Sequence, residues 1–159
     1  MKFILTNELG KLARWLRIMG FDAVYFKSNN IGTLIIQALR DDRIIVTRRQ
    51  SKIDDLEKKT VVLKNDNLNR QLNEVINKLN LKINENEMFT RCAVCNEILV
   101  KVKKEEVKDF IPEHVYKTKN EFRQCVQCKR VYWQGSHWGN IKEVIIKLGE
   151  VNQIRVNPR

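Results

Sequence analysis

Four cysteines stand in two close pairs, Cys92-Ala-Val-Cys95 and Cys125-Val-Gln-Cys128. Two residues between thiols let one tight turn aim both sulfurs at a single ion, and two such knuckles complete a tetrahedral shell. Four thiolates with no open position describe a closed site, which suits a structural zinc ion rather than a catalytic one. The 29 residues between the knuckles exceed the usual ribbon spacing, and a short helix over 104–110 accounts for the excess. The competing readings are unligated core cysteines, a redox C-x-x-C pair, or iron in place of zinc, which ligand type does not separate from zinc.

Just past the second knuckle, Lys129, Arg130, Tyr132, Trp133, His137 and Trp138 interleave basic and aromatic groups. Such a mixture stacks unpaired bases while holding their backbone. The same rings could instead form the core of a small module poor in apolar residues. His137 lies in a Gly-Ser-His-Trp turn, where a hydrogen-bonded structural role competes with acid/base or ligand chemistry. Farther upstream, Lys11, Arg14 and Arg17 fall three apart, opposite Leu12, Trp15, Leu16 and Met19, and read equally as a phosphate-contact ridge or an ordinary exposed helix face.

The 159 residues carry 30 Lys and Arg against 19 Asp and Glu, a net charge of +11. Both halves are basic, with 16 cations against 11 anions over residues 1–90 and 14 against 8 over 91–159. Nucleic acid is the first partner such an excess suggests, a merely solvated surface the alternative. No basic amphipathic helix of the membrane-binding kind stands out, and no run approaches the roughly 20 apolar residues needed to span a bilayer. MKFILTNELG is too weakly basic and too short in its apolar run for a signal peptide, so the expected location is cytoplasmic. In a reducing cytosol, paired cysteines are metal ligands before they are disulfides.

The elements that must position these groups follow from periodicity. Strand-like runs at 2–6, 23–26, 43–47 and 60–64 alternate with helical patterns at 9–19, 31–40 and 68–81, predicting an α/β domain around a mainly parallel sheet. Residues 82–90 are polar and read as a joint. Beyond it come a knuckle and strand, a short helix, a second knuckle and strand, and a last helix at 140–149. This divides the chain into modules at 1–88 and 89–159.

At LGKLARWLRIMGFDA (9–23), and again at RCAVCNEIL, KEEVKDFIP, HVYK and EFRQCVQCKRVYWQGSHW within 91–138, the chain closely resembles the Mut-seven C-terminal RNase family. The resemblance implies a PIN-like ribonuclease domain fused to a zinc ribbon. It also implies Mg or Mn held by three or four carboxylates at the C-terminal strand ends, where the ions activate water and steady the leaving oxygen. The positions that should supply those acids read otherwise. Thr6, flanked by Asn7 and Glu8, stands where an Asp follows the first strand, and Arg49 stands where Thr-Arg-Asp closes the third. The stretch after the second strand is Lys27-Ser28-Asn29-Asn30, and the one after the fourth keeps only Asp66. Thr6, Lys27, Arg48, Arg49 and Lys64 would then attract phosphates without a metal.

The expected function is therefore RNA binding, on structured or ribosomal RNA, by a PIN-like module that has lost its metal-binding acids. The expected contacts are Lys11, Arg14, Arg17, Arg48, Arg49, Lys129, Arg130, Trp133, His137 and Trp138. An active metal-dependent endoribonuclease with rescue acids among Glu8, Asp22, Asp41 and Asp42, and a protein-binding adaptor, are the alternatives.

Overall fold

A computed structural model describes residues 1–49, 59–135, 139–141, 143–145 and 147–148. Four short strands, β1 (Lys2–Leu5), β2 (Asp22–Tyr25), β3 (Ile44–Thr47) and β4 (Thr60–Val62), form one parallel sheet in the order β2-β1-β3-β4. Helices α1 (Gly10–Ile18), α2 (Ile31–Arg40) and α3 (Leu68–Leu79) connect and cover them. Side chains alternate along a strand, so Ile4 and Ile45 pack with Leu34 and Ala38 of α2 on one face. Phe3, Leu5 and Val46 pack with Leu12 and Leu16 of α1 and Leu72, Val75 and Ile76 of α3 on the other. The expected α/β class with a parallel sheet is thus what the chain forms, in three layers.

Local chemistry sets the boundaries. Asn30 and Asn67 cap α2 and α3 by accepting backbone N–H groups at their first turns. Asn80, in the left-handed region at φ 47°, ends α3 two residues before the periodicity does.

The second sheet is antiparallel and holds β5 (Leu99–Val102), β6 (Phe122–Cys125) and β7 (Val131–Trp133) in that order. The helix expected over 104–110 is present as a 3-10 helix, Lys104–Phe110. A further helix, α4 (Glu113–Thr118), and the strand β6 before the second knuckle have no counterpart in the periodicity reading.

Residues 82–90, read as a joint, are anchored at Met88 and Phe89. Leu81 and Met88 are buried in the main core, and the Phe89 N–H donates to the Ile18 carbonyl. The described parts of 139–148 are helical, and Ile145 is fully buried in the same core, so the last helix packs back. No described helix is long and apolar enough to cross a membrane.

Gly20, at φ +94°, turns the chain between α1 and β2. A Cβ there would collide with the Glu87 carbonyl. Gly20→Ala is therefore expected to destabilise the protein by about 1–3 kcal/mol, read as a lowered urea midpoint, since a non-glycine residue must bear that backbone conformation. An unchanged midpoint would refute the role assigned to this contact.

Candidate functional site

The two knuckles repeat one backbone design. In the first, the Cys92 N–H donates to the Glu97 carbonyl and the Asn96 N–H to the Cys92 carbonyl. In the second, the Cys125 N–H donates to Arg130 and the Lys129 N–H to Cys125. Each turn closes on a left-handed residue, Asn96 at φ 70° and Lys129 at φ 60°. The four cysteine sulfurs lie within 4.8 Å of one another, with Cys92 Sγ 3.7 Å from Cys128 Sγ. A tetrahedron with metal–sulfur bonds of about 2.3 Å has sulfur–sulfur edges of about 3.8 Å, so the cluster fits an ion such as zinc.

Burial raises the Cys92 thiol, but hydrogen bonds from Tyr132 and from the Cys95 and Val94 N–H groups outweigh it and hold that thiol at about 7. Burial and the neighbouring sulfurs push Cys95 up to about 12, and Cys125 also moves up. A cation that neutralises the sulfurs relieves this conflict and releases protons as it binds.

Arg17 supports the cluster from outside. Its Nε donates to the Ala23 carbonyl at 2.7 Å, and its Nη1 to the Ala93 and Val94 carbonyls at 3.1 and 2.9 Å. Burial pulls its pKa down from the ordinary value, opposed by the adjacent Cys92 and Cys95 sulfurs. Four thiolates holding a divalent ion would leave net negative charge, which the nearby guanidinium would offset. Arg17 is therefore a buried clamp and not part of an exposed phosphate ridge, which corrects the reading of the stripe. Lys11 and Arg14 remain exposed.

Asp22, weighed as a rescue acid, sits at the opposite end of its strand. It takes Arg43 at 2.6 Å and Asn96 Nδ2 at 2.8 Å, while Asn96 Oδ1 accepts the Ala23 N–H. Burial opposes its charged form, but these partners hold its pKa low. Its role is to dock the first knuckle. Asp41 pairs with Arg40 at 2.7 Å and Asp42 with Lys59 at 2.7 Å, also away from the C-terminal strand ends.

At those ends a different network forms. Thr6 is buried and donates to Glu8 Oε1 at 2.6 Å, which also accepts the Arg48 N–H at 3.1 Å. Arg49 Nη2 reaches Glu8 Oε2 at 3.4 Å, Asn7 Oδ1 at 2.5 Å and Asn29 Oδ1 at 3.1 Å. A guanidinium thus occupies the mouth of β1, β2 and β3. Burial opposes the charge on Glu8, yet Thr6, the backbone N–H groups and Arg49 hold its pKa below the ordinary value.

Beside β4, Glu74 accepts the Lys64 and Asn65 N–H groups and the Asn65 amide. Asp66 is exposed, and its carbonyl, not its carboxylate, is the acceptor for Gln71. Among the described residues, the four cysteines are the only group of three or more Cys, His, Asp or Glu that converge closely enough to hold one metal ion.

The ribbon's aromatic residues divide by role. The Tyr132 hydroxyl contacts Cys92 Sγ at 3.1 Å, and Trp133 packs half-buried against Val107, Ile111 and Phe122. Both belong to the small module's core. Lys129 and Arg130 are exposed at the second knuckle. His137 and Trp138 lie outside the described residues. Arg14 of α1 comes together with Lys129, Arg130 and Trp133 around an open cleft of about 640 Å³.

A three-layer parallel α/β unit beside an antiparallel sheet whose four clustered cysteines could hold a metal ion defines the class of protein. A family model for the Mut7-C RNAse domain matches residues 1–145, and the chain belongs to that family. The function of the chain is accordingly nuclease-related and RNA-associated. No curated protein and no solved structure gives a significant match.

Two outcomes test this geometry. Chelation of the ion, or Cys125→Ser, is expected to collapse the dispersed amide signals of β5–β7 while those of β1–β4 persist, with metal affinity falling as pH is lowered; retained β5–β7 signals in metal-free protein would refute it. Because the Glu8 pKa is lowered in the fold, its contribution is complete above the ordinary carboxyl value of 4.5 and lost as pH falls through the folded value. Glu8→Gln should remove that part of the acid-dependent loss in urea titrations below about pH 5.

Proposed function

We propose that this chain binds RNA and has given up metal-dependent cleavage, with a structural zinc ion in its four-cysteine site. The observation that carries this reading is the Arg49 guanidinium among Asn7, Glu8 and Asn29 at the strand ends. A hydrolytic magnesium or manganese ion needs several charged oxygens, and a fixed cation there adds repulsion where charge must be neutralised. The residues described at this place do not fit such an ion. Glu8, the one carboxylate among them, is already used by Thr6, Arg48 and Arg49.

The net charge of +11 favours a polyanionic partner, and the exposed Lys11, Arg14, Arg48, Lys129 and Arg130 supply phosphate contacts. Structured RNA, ribosomal RNA included, is the proposed partner, and the cytoplasm the proposed location. The modules at 1–88 and 89–159 belong to the same proposal, supported by the two separate sheets.

A second reading, an active endoribonuclease, is favoured by the family's name and by the Glu8 carboxylate at the strand ends. The full zinc-loaded chain, incubated with mixed RNAs with and without Mg or Mn beside a gel shift of the same RNAs, separates the two. Salt-sensitive shifts without cleavage are expected. Metal-dependent products that vanish in Asp66→Asn or Glu8→Gln would sink the binding reading. Absence of any salt-sensitive RNA binding would favour a protein-binding adaptor.

A further inference from the structure

Phe110 ends the 3-10 helix Lys104–Phe110 with 66% of its surface exposed. Its neighbours need no help from it. Val107 is fully buried and Ile111 nearly so, in a cluster with Val115 and Phe122 that anchors the turn. An exposed ring held on an anchored turn offers a fixed π-face to solvent. Phe110 lines the cleft between α1 and the second knuckle, together with Arg14, Lys129, Arg130, Tyr132 and Trp133.

The cleft has three cations and no carboxylate in its lining. The cations come from both parts of the molecule, Arg14 from α1 and Lys129 and Arg130 from the ribbon. Tyr132 is tied to Cys92 Sγ, and Trp133 packs on the Val107 cluster, so Phe110 is the ring left for a ligand. At about 640 Å³ the cleft falls within the range of roughly 300–1,000 Å³ that receives small organic groups.

A stacking face beside several cations suits nucleotides whose bases are free. In a duplex the bases stack on one another and offer Phe110 no face, whereas loops and bulges of structured RNA present them splayed. Resting on the RNA-binding reading above, we propose that this cleft takes an unpaired RNA segment, with Phe110 stacking a base and Arg14, Lys129 and Arg130 holding its phosphates.

The test is fluorescence anisotropy on the full, metal-loaded chain. The probes are a labelled, mixed-sequence 12-mer RNA without self-complementarity and the same strand in duplex with its complement, each titrated over a range of salt. Phe110→Ala is expected to weaken binding of the unpaired strand about tenfold with its salt slope unchanged, the size of one lost base stack. Duplex binding should stay within about twofold, and Phe110→Tyr, which keeps the ring, should bind as wild type. The triple variant Arg14→Gln, Lys129→Gln, Arg130→Gln should lower the slope of log affinity against log salt by about two.

Metal content and amide spectra of each variant confirm that it is folded. Phe110→Ala binding the unpaired strand as tightly as wild type, or the triple variant keeping the full slope, overturns the cleft while leaving RNA binding intact. Wild-type protein that binds neither RNA overturns both readings.

Discussion

The Arg17 guanidinium is the contact on which the arrangement of the two sheets depends. A buried cation is costly unless its hydrogens and its charge are both matched. Here three carbonyls match the hydrogens, one from β2 and two from the first knuckle, and the cysteine sulfurs lie close enough to oppose its charge. Around it, Asn96 bonds to both Asp22 and the Ala23 N–H, and Arg91 donates to the Gly20 carbonyl. The ribbon is therefore keyed to the end of α1 and the start of β2 by polar contacts between segments far apart in sequence.

That docking explains the chemistry available elsewhere. With the first knuckle fixed against Arg17, the second knuckle stands beside Arg14, one helical turn earlier, and the cleft forms between them. A metal ion held by the four sulfurs would act at one remove. It would hold the two knuckles together, and the knuckles in turn give α1 a surface to face. Metal binding, ribbon docking and the basic cleft thus form a single chain of dependence.

At the opposite end of the parallel sheet, an acid and a cation of the chain pair with each other. Glu8 and Arg49 satisfy each other and draw in Thr6, Asn7, Asn29 and the Arg48 N–H. An internal ion pair that is only part-buried contributes modestly to stability, but it fixes the loops after β1, β2 and β3 in one geometry. The protein therefore carries two contrasting sites, one built for a metal through four sulfurs and one at the strand ends closed by its own cation.

Much of this was legible in the chain itself, for reasons of period and spacing. Apolar alternation and helical repeats gave the order of β1 to α3, because each buried face must recur at the period of its element. The two C-x-x-C pairs marked the metal cluster, because one turn can present two sulfurs. Arg49 was visible as a cation where the family resemblance led one to expect an acid. What sequence periodicity could not assign was which face of α1 meets what. Arg17 has the same spacing as Lys11 and Arg14, yet it is buried, and the periodicity does not distinguish it, because two of its three partners, the Ala93 and Val94 carbonyls, lie 76 and 77 residues away. Likewise, Asp22 became a docking residue and Phe110 an exposed ring beside a cleft only once the ribbon was in place. Local patterns dictate elements and ligand turns; the pairing of charges and the shape of the cleft arise from contacts between distant segments, which only the tertiary structure decides.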